Sequence, residues 1–347
     1  MSKINIIEKK ETNAVFDVTK YILSIMVIAI HSNLFPSVLY PWLRLAVPLF
    51  FIISSYFLFK KLENTEDSKK DGVVWRYVKR NAILYLFWFI VLLPISLYLH
   101  HDIWIDDFNI FCLLRFLRSL VFASTFPASW YISATIIGTI IVYFLSKKFG
   151  NKLIILISCV FYILACLVSS YQYIVDSNQI LSNIVSSLKI IIPAPYNSFL
   201  VALFWIVCGK CIAESRMLIR TGLLTATLIL SAVLLELEFQ LHVKVTGNYN
   251  NDLYFMLIPL SICIFISLCK IPAWKNKYGV TFRKLSTLYY VMHSAVLDII
   301  MFVFINIVHF ENNILYFILT LFIVTGISVL IIAIAKTEHL KIFKYSY

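Results

Sequence analysis

Charge is scarce in this sequence. Asp, Glu, Lys and Arg make up only 14% of its 347 residues, while 61% are hydrophobic. A soluble domain carries roughly 25% charge, so a water-facing surface is excluded. The apolar runs do not alternate at a period of two, which excludes a transmembrane β-barrel. Repeats, low-complexity tracts and a soluble appended domain are missing as well. The longest polar stretch is "KKLENTEDSKKDG", 60–72, read as a solvated cytoplasmic loop. The chain therefore reads as one membrane domain over 1–347. The seven cysteines are odd in number and lie in or beside apolar runs, so they form no disulfide framework. Cys208 and Cys211 make one CxxC with no second pair at zinc-site spacing. The segment "HHDIWIDDF", 100–108, is rich in metal-capable side chains but matches no ligand pattern. No metal is assigned to either place. Lys3, Lys9 and Lys10 precede the first apolar run as in a secretory signal, yet no small-residue cleavage site follows. That run reads as an uncleaved first helix.

What is present is apolar length. Runs of about 17–22 residues recur, each long enough to cross a bilayer core of ~30 Å. Ten spans are expected, at roughly 18–36, 43–59, 81–99, 128–146, 152–171, 196–212, 221–240, 253–269, 286–307 and 313–335. The loops between them alternate in charge. One set holds 24 of the 30 Lys and Arg residues; the opposite set holds Arg115, Arg118, Lys189 and Lys244; Lys20 and Arg44 fall inside spans. The basic set faces the cytoplasm, and both termini are expected there. The net charge of +12 is thus a record of topology, and no nucleic-acid partner is called for. The stretch 108–124 is apolar but carries Arg115 and Arg118 at its centre. It reads as a re-entrant or interfacial helix on the outer side. The fold class is all-α, a polytopic membrane protein of about ten transmembrane helices.

The first span, "FDVTKYILSIMVIAIH", 16–31, carries Asp17, Lys20, Ser24 and His31. At 100° per residue these fall within an arc of about 60°. They make one polar stripe, with Asp17 and His31 about 21 Å apart along the axis. Asp17, Lys20 and Ser24 are also compatible with an interfacial packing stripe. An intramembrane His31 is a functional candidate, because its desolvation must be offset and an imidazole can take and return a proton. His293 is a second intramembrane histidine, with Asp298 further along its span.

Five stretches in order carry a resemblance. Lys20 stands eleven residues before His31. The second span reads "VPLFFIISSYFLFKK", 47–61. The basic cluster of "WRYVKRNAILYLFW", 75–88, precedes an aromatic third span. "SWYISATIIG", 129–138, opens a later one, and "YYVMH", 289–293, closes the series. Together they resemble the acyltransferase-3 family of integral membrane acyltransferases. Three departures stand out: Lys20 replaces the usual arginine, Ser55 stands where the family has glycine, and the third-span cluster is Arg76, Lys79 and Arg80 rather than a clean Arg-x-x-Arg. Lysine cannot make a bidentate fork to phosphate or carboxylate.

The resemblance implies transfer of an acetyl or other acyl group from cytosolic acyl-CoA. The acceptor would be a hydroxyl of an extracytoplasmic or lipid-linked glycan. The setting would be a bacterial inner or plasma membrane, with membrane lipids as the surroundings. Acetyl-CoA would be a donor substrate, and no permanently bound cofactor is expected. Some family members add an extracytoplasmic hydrolase-like domain; here the membrane domain is expected to finish the transfer itself. His31 is the expected catalytic base or transient acyl carrier, with Asp17 and Lys20 toward the cytoplasmic end of the same stripe as further catalytic candidates. Arg76, Lys79 and Arg80 are the expected acyl-CoA contacts, although topology alone also places cations there. His293, Tyr289, Trp130 and Tyr131 are cavity or acceptor candidates; an interfacial belt is the alternative for Trp130 and Tyr131. Arg115 and Arg118, at i and i+3, could hold an anionic group of the acceptor or rest on lipid headgroups. The competing function is a small-metabolite transporter built on the same membrane domain.

Overall fold

The computed structural model describes residues 14–99, 110–122, 124–126, 128–215, 219–274 and 276–347. The "HHDIWIDDF" segment and the lysines at 3, 9 and 10 lie outside the described residues. Among the described residues there is no strand. The helices, in order, are α1 (Ala14–His31), α2 (Pro36–Leu43), α3 (Ala46–Glu63), α4 (Asp67–Leu99), α5 (Ile110–Phe122), α6 (Trp130–Lys148) and α7 (Asn151–Val168). Then come α8 (Gln172–Asp176), α9 (Gln179–Ile191), α10 (Phe199–Glu214), α11 (Thr221–Thr246), α12 (Leu257–Lys270), α13 (Gly279–Val303) and α14 (Asn313–Ile334). A tight helical segment, Glu338–Ser346, closes the series.

Eight of these helical stretches are long and apolar enough to cross a membrane. The chain is a multi-pass helical membrane protein. The spans expected at 196–212 and 253–269 are α10 and α12, of 16 and 14 residues. At 1.5 Å per residue they reach about 24 and 21 Å, short of a ~30 Å core. For α10 the reason is its position. Every residue from Leu200 to Val207 is buried, and the helix packs against α3, α6 and α7. A helix apolar all round and enclosed by others has little lipid face to match to the bilayer.

The polar stretch 60–72 is not a loop throughout. α3 runs on to Glu63 and α4 starts at Asp67, leaving a turn of three residues. Lys60–Glu63, Lys69–Glu66 and Lys70–Asp67 pair at i, i+3 and hold polar sequence in helical form. α5 is a 13-residue helix, too short to cross, with Ile110, Phe111 and Leu114 exposed along one side.

The centre of the bundle depends on close approach. A Cβ built on Gly209 of α10 would meet the Ser55 Oγ at 2.0 Å and the Ile52 carbonyl oxygen of α3 at 2.6 Å. Ser55 turns its hydroxyl back to the Phe51 carbonyl at 2.7 Å, which satisfies it inside the contact. So the small residue at this crossing is supplied by α10, opposite Ser55. Gly209→Ala is expected to lower stability by about 1–3 kcal/mol or more through overpacking. Because the second clash is with backbone, Ser55→Gly does not restore it. Thermal unfolding of the two single variants and the double variant in detergent checks this.

Candidate active site

The place of His31 is set by how α1 ends. Asn33 takes a left-handed backbone with φ 53°, a conformation that asparagine tolerates. The Leu34 N–H then donates to Ala29 O at 3.0 Å, and the Asn33 N–H to Ile30 O at 3.1 Å. This is a Schellman stop, which makes His31 the last helical residue. The Tyr40 hydroxyl from α2 also donates to Ile30 O at 3.1 Å, fixing that turn.

α13 packs along α1 and runs parallel to it, so that Asp17 meets Arg283 near the N-terminal ends of both helices. It brings His293 against His31, with ring centroids 4.9 Å apart and planes inclined by 48°. His293 is fully buried, while His31 is accessible. The His293 Nδ1 lies 2.7 Å from Tyr290 O and 3.1 Å from Tyr289 O. A carbonyl oxygen only accepts, so Nδ1 carries the proton and donates. Nε2 is then the basic lone pair, and it is buried without a partner. His31 makes no hydrogen bond among the described residues. Two imidazoles thus meet with nitrogen lone pairs left over for a reactant.

Toward the basic end of the bundle a cavity of ≈ 170 Å³ opens between α1, α3, α4, α6 and α13. Lys20, Arg80 and Arg283 are its cations, and among the described residues no carboxylate lines it. Lys20 Nζ donates to Ser54 Oγ at 3.3 Å, and that hydroxyl lies 3.5 Å from the Tyr131 hydroxyl. Phe50, Tyr131 and Tyr290 also line it. The Tyr131 and Tyr290 rings stand 5.1 Å apart, and Tyr290 is 6.0 Å from the His293 ring. The aromatic pair therefore sits between the cationic cavity and the histidines. The Tyr290 hydroxyl is held by Ala128 O, at the turn leading into α6.

Arg76, Lys79 and Arg80 border a second opening of ≈ 370 Å³, together with Lys344, Tyr345 and Tyr347. Arg80 and Leu84 line both spaces, so the groove and the cavity adjoin along α4. Arg76 and Lys79 reach only the outer groove, and Arg76 Nε donates to Gly72 O at 3.0 Å.

Other candidates are placed differently. Asp17 is buried and accepts both prongs of Arg283, at 2.8 and 2.9 Å; it is not paired with Lys20. Tyr289 turns to α14, where its hydroxyl lies 2.6 Å from Thr325 Oγ1, and to Tyr21 at 3.3 Å. It ties three helices together, and its neighbour Tyr290 is the one that lines the cavity. Trp130 packs on Phe51, with centroids 6.2 Å apart, whereas Tyr131 points inward. Arg118 Nη1 donates to Ile190 O at the end of α9, at 2.7 Å; Arg115 is exposed. Neither arginine lines the cavity or its groove. Arg283, Tyr290 and Ser54 are the residues that sequence reasoning missed. Along α13, positions 283, 286, 287, 290 and 293 fall within an arc of about 120°. The stripe test that singled out α1 picks them up.

A family model described as an acyltransferase domain matches residues 13–333. The chain belongs to the acyltransferase-3 family. Two curated relatives, both from Enterococcus faecalis and both named amino-acid racemase, are 26% and 25% identical over 316 and 309 residues. The matches cover 87% and 84% of this chain but 43% and 40% of the relatives. The chain thus spans less than half the length of these curated relatives. No solved structure matches it. The family assignment supports a membrane acyltransferase, and the five sequence stretches that carried the resemblance all fall within the matched residues.

Proposed function

We propose that the protein moves an acetyl or other acyl group from acyl-CoA on the cytoplasmic side to a hydroxyl of an extracytoplasmic or lipid-linked glycan. The observation that carries this reading is the His31–His293 contact, which stands next to Tyr290 in the wall of a cation-lined cavity at the basic end. The positive-inside rule puts that end in the cytoplasm, where a bacterial inner membrane would meet acyl-CoA. The donor's phosphates are drawn by Arg76, Lys79 and Arg80, and its arm enters past Lys20 and Arg283. The thioester then passes the Tyr131–Tyr290 rings to the two imidazoles.

The chemistry is an exchange of thioester for ester. The acceptor oxygen bonds to the thioester carbonyl carbon while an imidazole nitrogen takes the hydroxyl proton. The carbon–sulfur bond breaks, and the departing thiolate takes a proton back from the imidazolium. The products are the ester and free CoA thiol. His31, accessible and at a helix end, faces the reactants as base or as the nitrogen that briefly carries the acyl group. His293, with its proton fixed on Nδ1, offers Nε2 as the partner acceptor.

The test is label transfer from radiolabelled acetyl-CoA in membranes containing the chain, with envelope glycans added as acceptors. Label in glycan is the expected result. Absence of both transfer and acetyl-CoA binding would turn the reading toward transport of a small metabolite.

A further inference from the structure

The outer groove has a second wall that the family motifs do not reach. It is built by the segment Glu338–Ser346 and by Tyr347, beyond the matched residues 13–333. This segment is pinned to α4. The Trp88 indole N–H donates to Ser346 O at 2.9 Å, Ser346 is fully buried, and Phe343 packs on Phe87 with centroids 6.1 Å apart. Tyr347 is held from α13, where Lys284 Nζ donates to its hydroxyl at 3.3 Å and stands 4.5 Å from its ring centroid. Between these anchors Lys344 and Tyr345 stay exposed, Tyr345 at 55%. They border the groove opposite Arg76 and Lys79. Four cations and two phenol rings line the groove, and no Asp or Glu side chain is among its described lining residues.

That composition matches one class of ligand. A nucleotide head offers a flat purine for an aromatic ring and phosphates for Lys and Arg. A lipid headgroup offers the phosphate without the base. The groove volume of ≈ 370 Å³ falls in the range of small-molecule sites, and it shares Arg80 and Leu84 with the inner cavity. We propose that this segment is the base-reading wall of a site for the adenine nucleotide head of the acyl donor. Tyr345 is the platform for the purine, and Lys344 joins Arg76 and Lys79 on its phosphates. The inference rests on the acyl-CoA reading above. Trp88 is a positioning residue that keeps the wall in place.

The experiment uses the full chain in nanodiscs, with labelled adenosine 3′,5′-bisphosphate as the probe and acetyl-CoA turnover as the second readout. Tyr345→Ala and Lys344→Glu change exposed side chains and leave the anchors intact. Each is expected to weaken probe binding about tenfold, the scale of losing one base stack or one phosphate contact. Each raises KM for acetyl-CoA with kcat within about twofold, since neither group reaches the histidines. Trp88→Ala shows the same KM effect, and Trp88→His, which can keep an N–H donor, recovers part of it. Wild-type affinity for the probe in both wall variants, in a chain that still transfers acetyl groups, overturns this inference and leaves the acyltransferase reading standing. Nanodiscs with and without phosphatidylglycerol separate the two phosphate sources. If Lys344→Glu reduces only phosphatidylglycerol retention and leaves the probe bound, the groove is a lipid site and the inference fails. A wild-type chain that binds neither probe nor acetyl-CoA removes the acyl-CoA reading and this one with it.

Discussion

Replacing His31 with alanine lowers acyl transfer by about 10²–10⁴-fold, the range for losing a positioned acid–base group. Donor affinity is expected to stay close to wild type, because Lys20, Arg80 and Arg283, the cations proposed to draw the donor, line a cavity that His31 does not line. The measurement is kcat and KM for acetyl-CoA at matched protein levels, with the glycan acceptor saturating. The paired variant is His293→Asn. Its amide N–H can replace the Nδ1–H donation to Tyr290 and Tyr289, so the buried turn keeps its hydrogen bond. What it lacks is the basic Nε2. If His293 takes part in proton handling, His293→Asn loses transfer while the protein melts near the wild-type temperature. If the ring only fills space beside His31, transfer falls by a few-fold at most. The double variant His31→Ala/His293→Asn is expected to be little worse than His31→Ala, since groups that act as a unit are not additive.

The polar stripe of α1 was legible because helical periodicity alone puts Asp17, Lys20, Ser24 and His31 on one face. The sequence could not show what that face meets. In the structure each stripe member has its own neighbour: Arg283 for Asp17, Ser54 for Lys20, the Tyr21 carbonyl for Ser24 and the His293 ring for His31. Apart from Tyr21, which lies on α1 itself, those neighbours come from α3 and α13, and pairing between distant segments is not written in any local pattern. Arg283 was hidden for another reason. It lies in a basic loop region, where topology by itself accounts for every cation. Tyr290 was passed over because the family signature drew attention to Tyr289, one position and 100° away. Lengths were read less well than faces. The runs at 196–212 and 253–269 are apolar enough for spans, but their helices are shorter, and only the packing of α10 between α3, α6 and α7 shows why.

The Asp17–Arg283 pair yields the second large effect. Asp17 is 7% exposed at its side chain and Arg283 is 44% exposed, so the carboxylate is desolvated and the guanidinium is half in the cavity. Removing the partner of a buried charge costs about 3–5 kcal/mol in the fully buried case. Here the surviving group differs between the two single variants. Arg283→Met strands a buried carboxylate and is expected to approach the low end of that range. Asp17→Ala leaves an arginine that can turn toward the cavity water, and is expected to cost less, about 1–2 kcal/mol. Asp17→Ala/Arg283→Met removes both charges and regains much of the loss, because apolar replacements of an ion pair are often near neutral. Function separates from stability in that double variant. It restores the melting temperature but takes one of three cations from the cavity, so KM for acetyl-CoA rises while kcat changes little. Melting curves and initial rates on the same preparations decide between the two roles. A double variant with both wild-type stability and wild-type KM would mean that Arg283 serves only to neutralise Asp17.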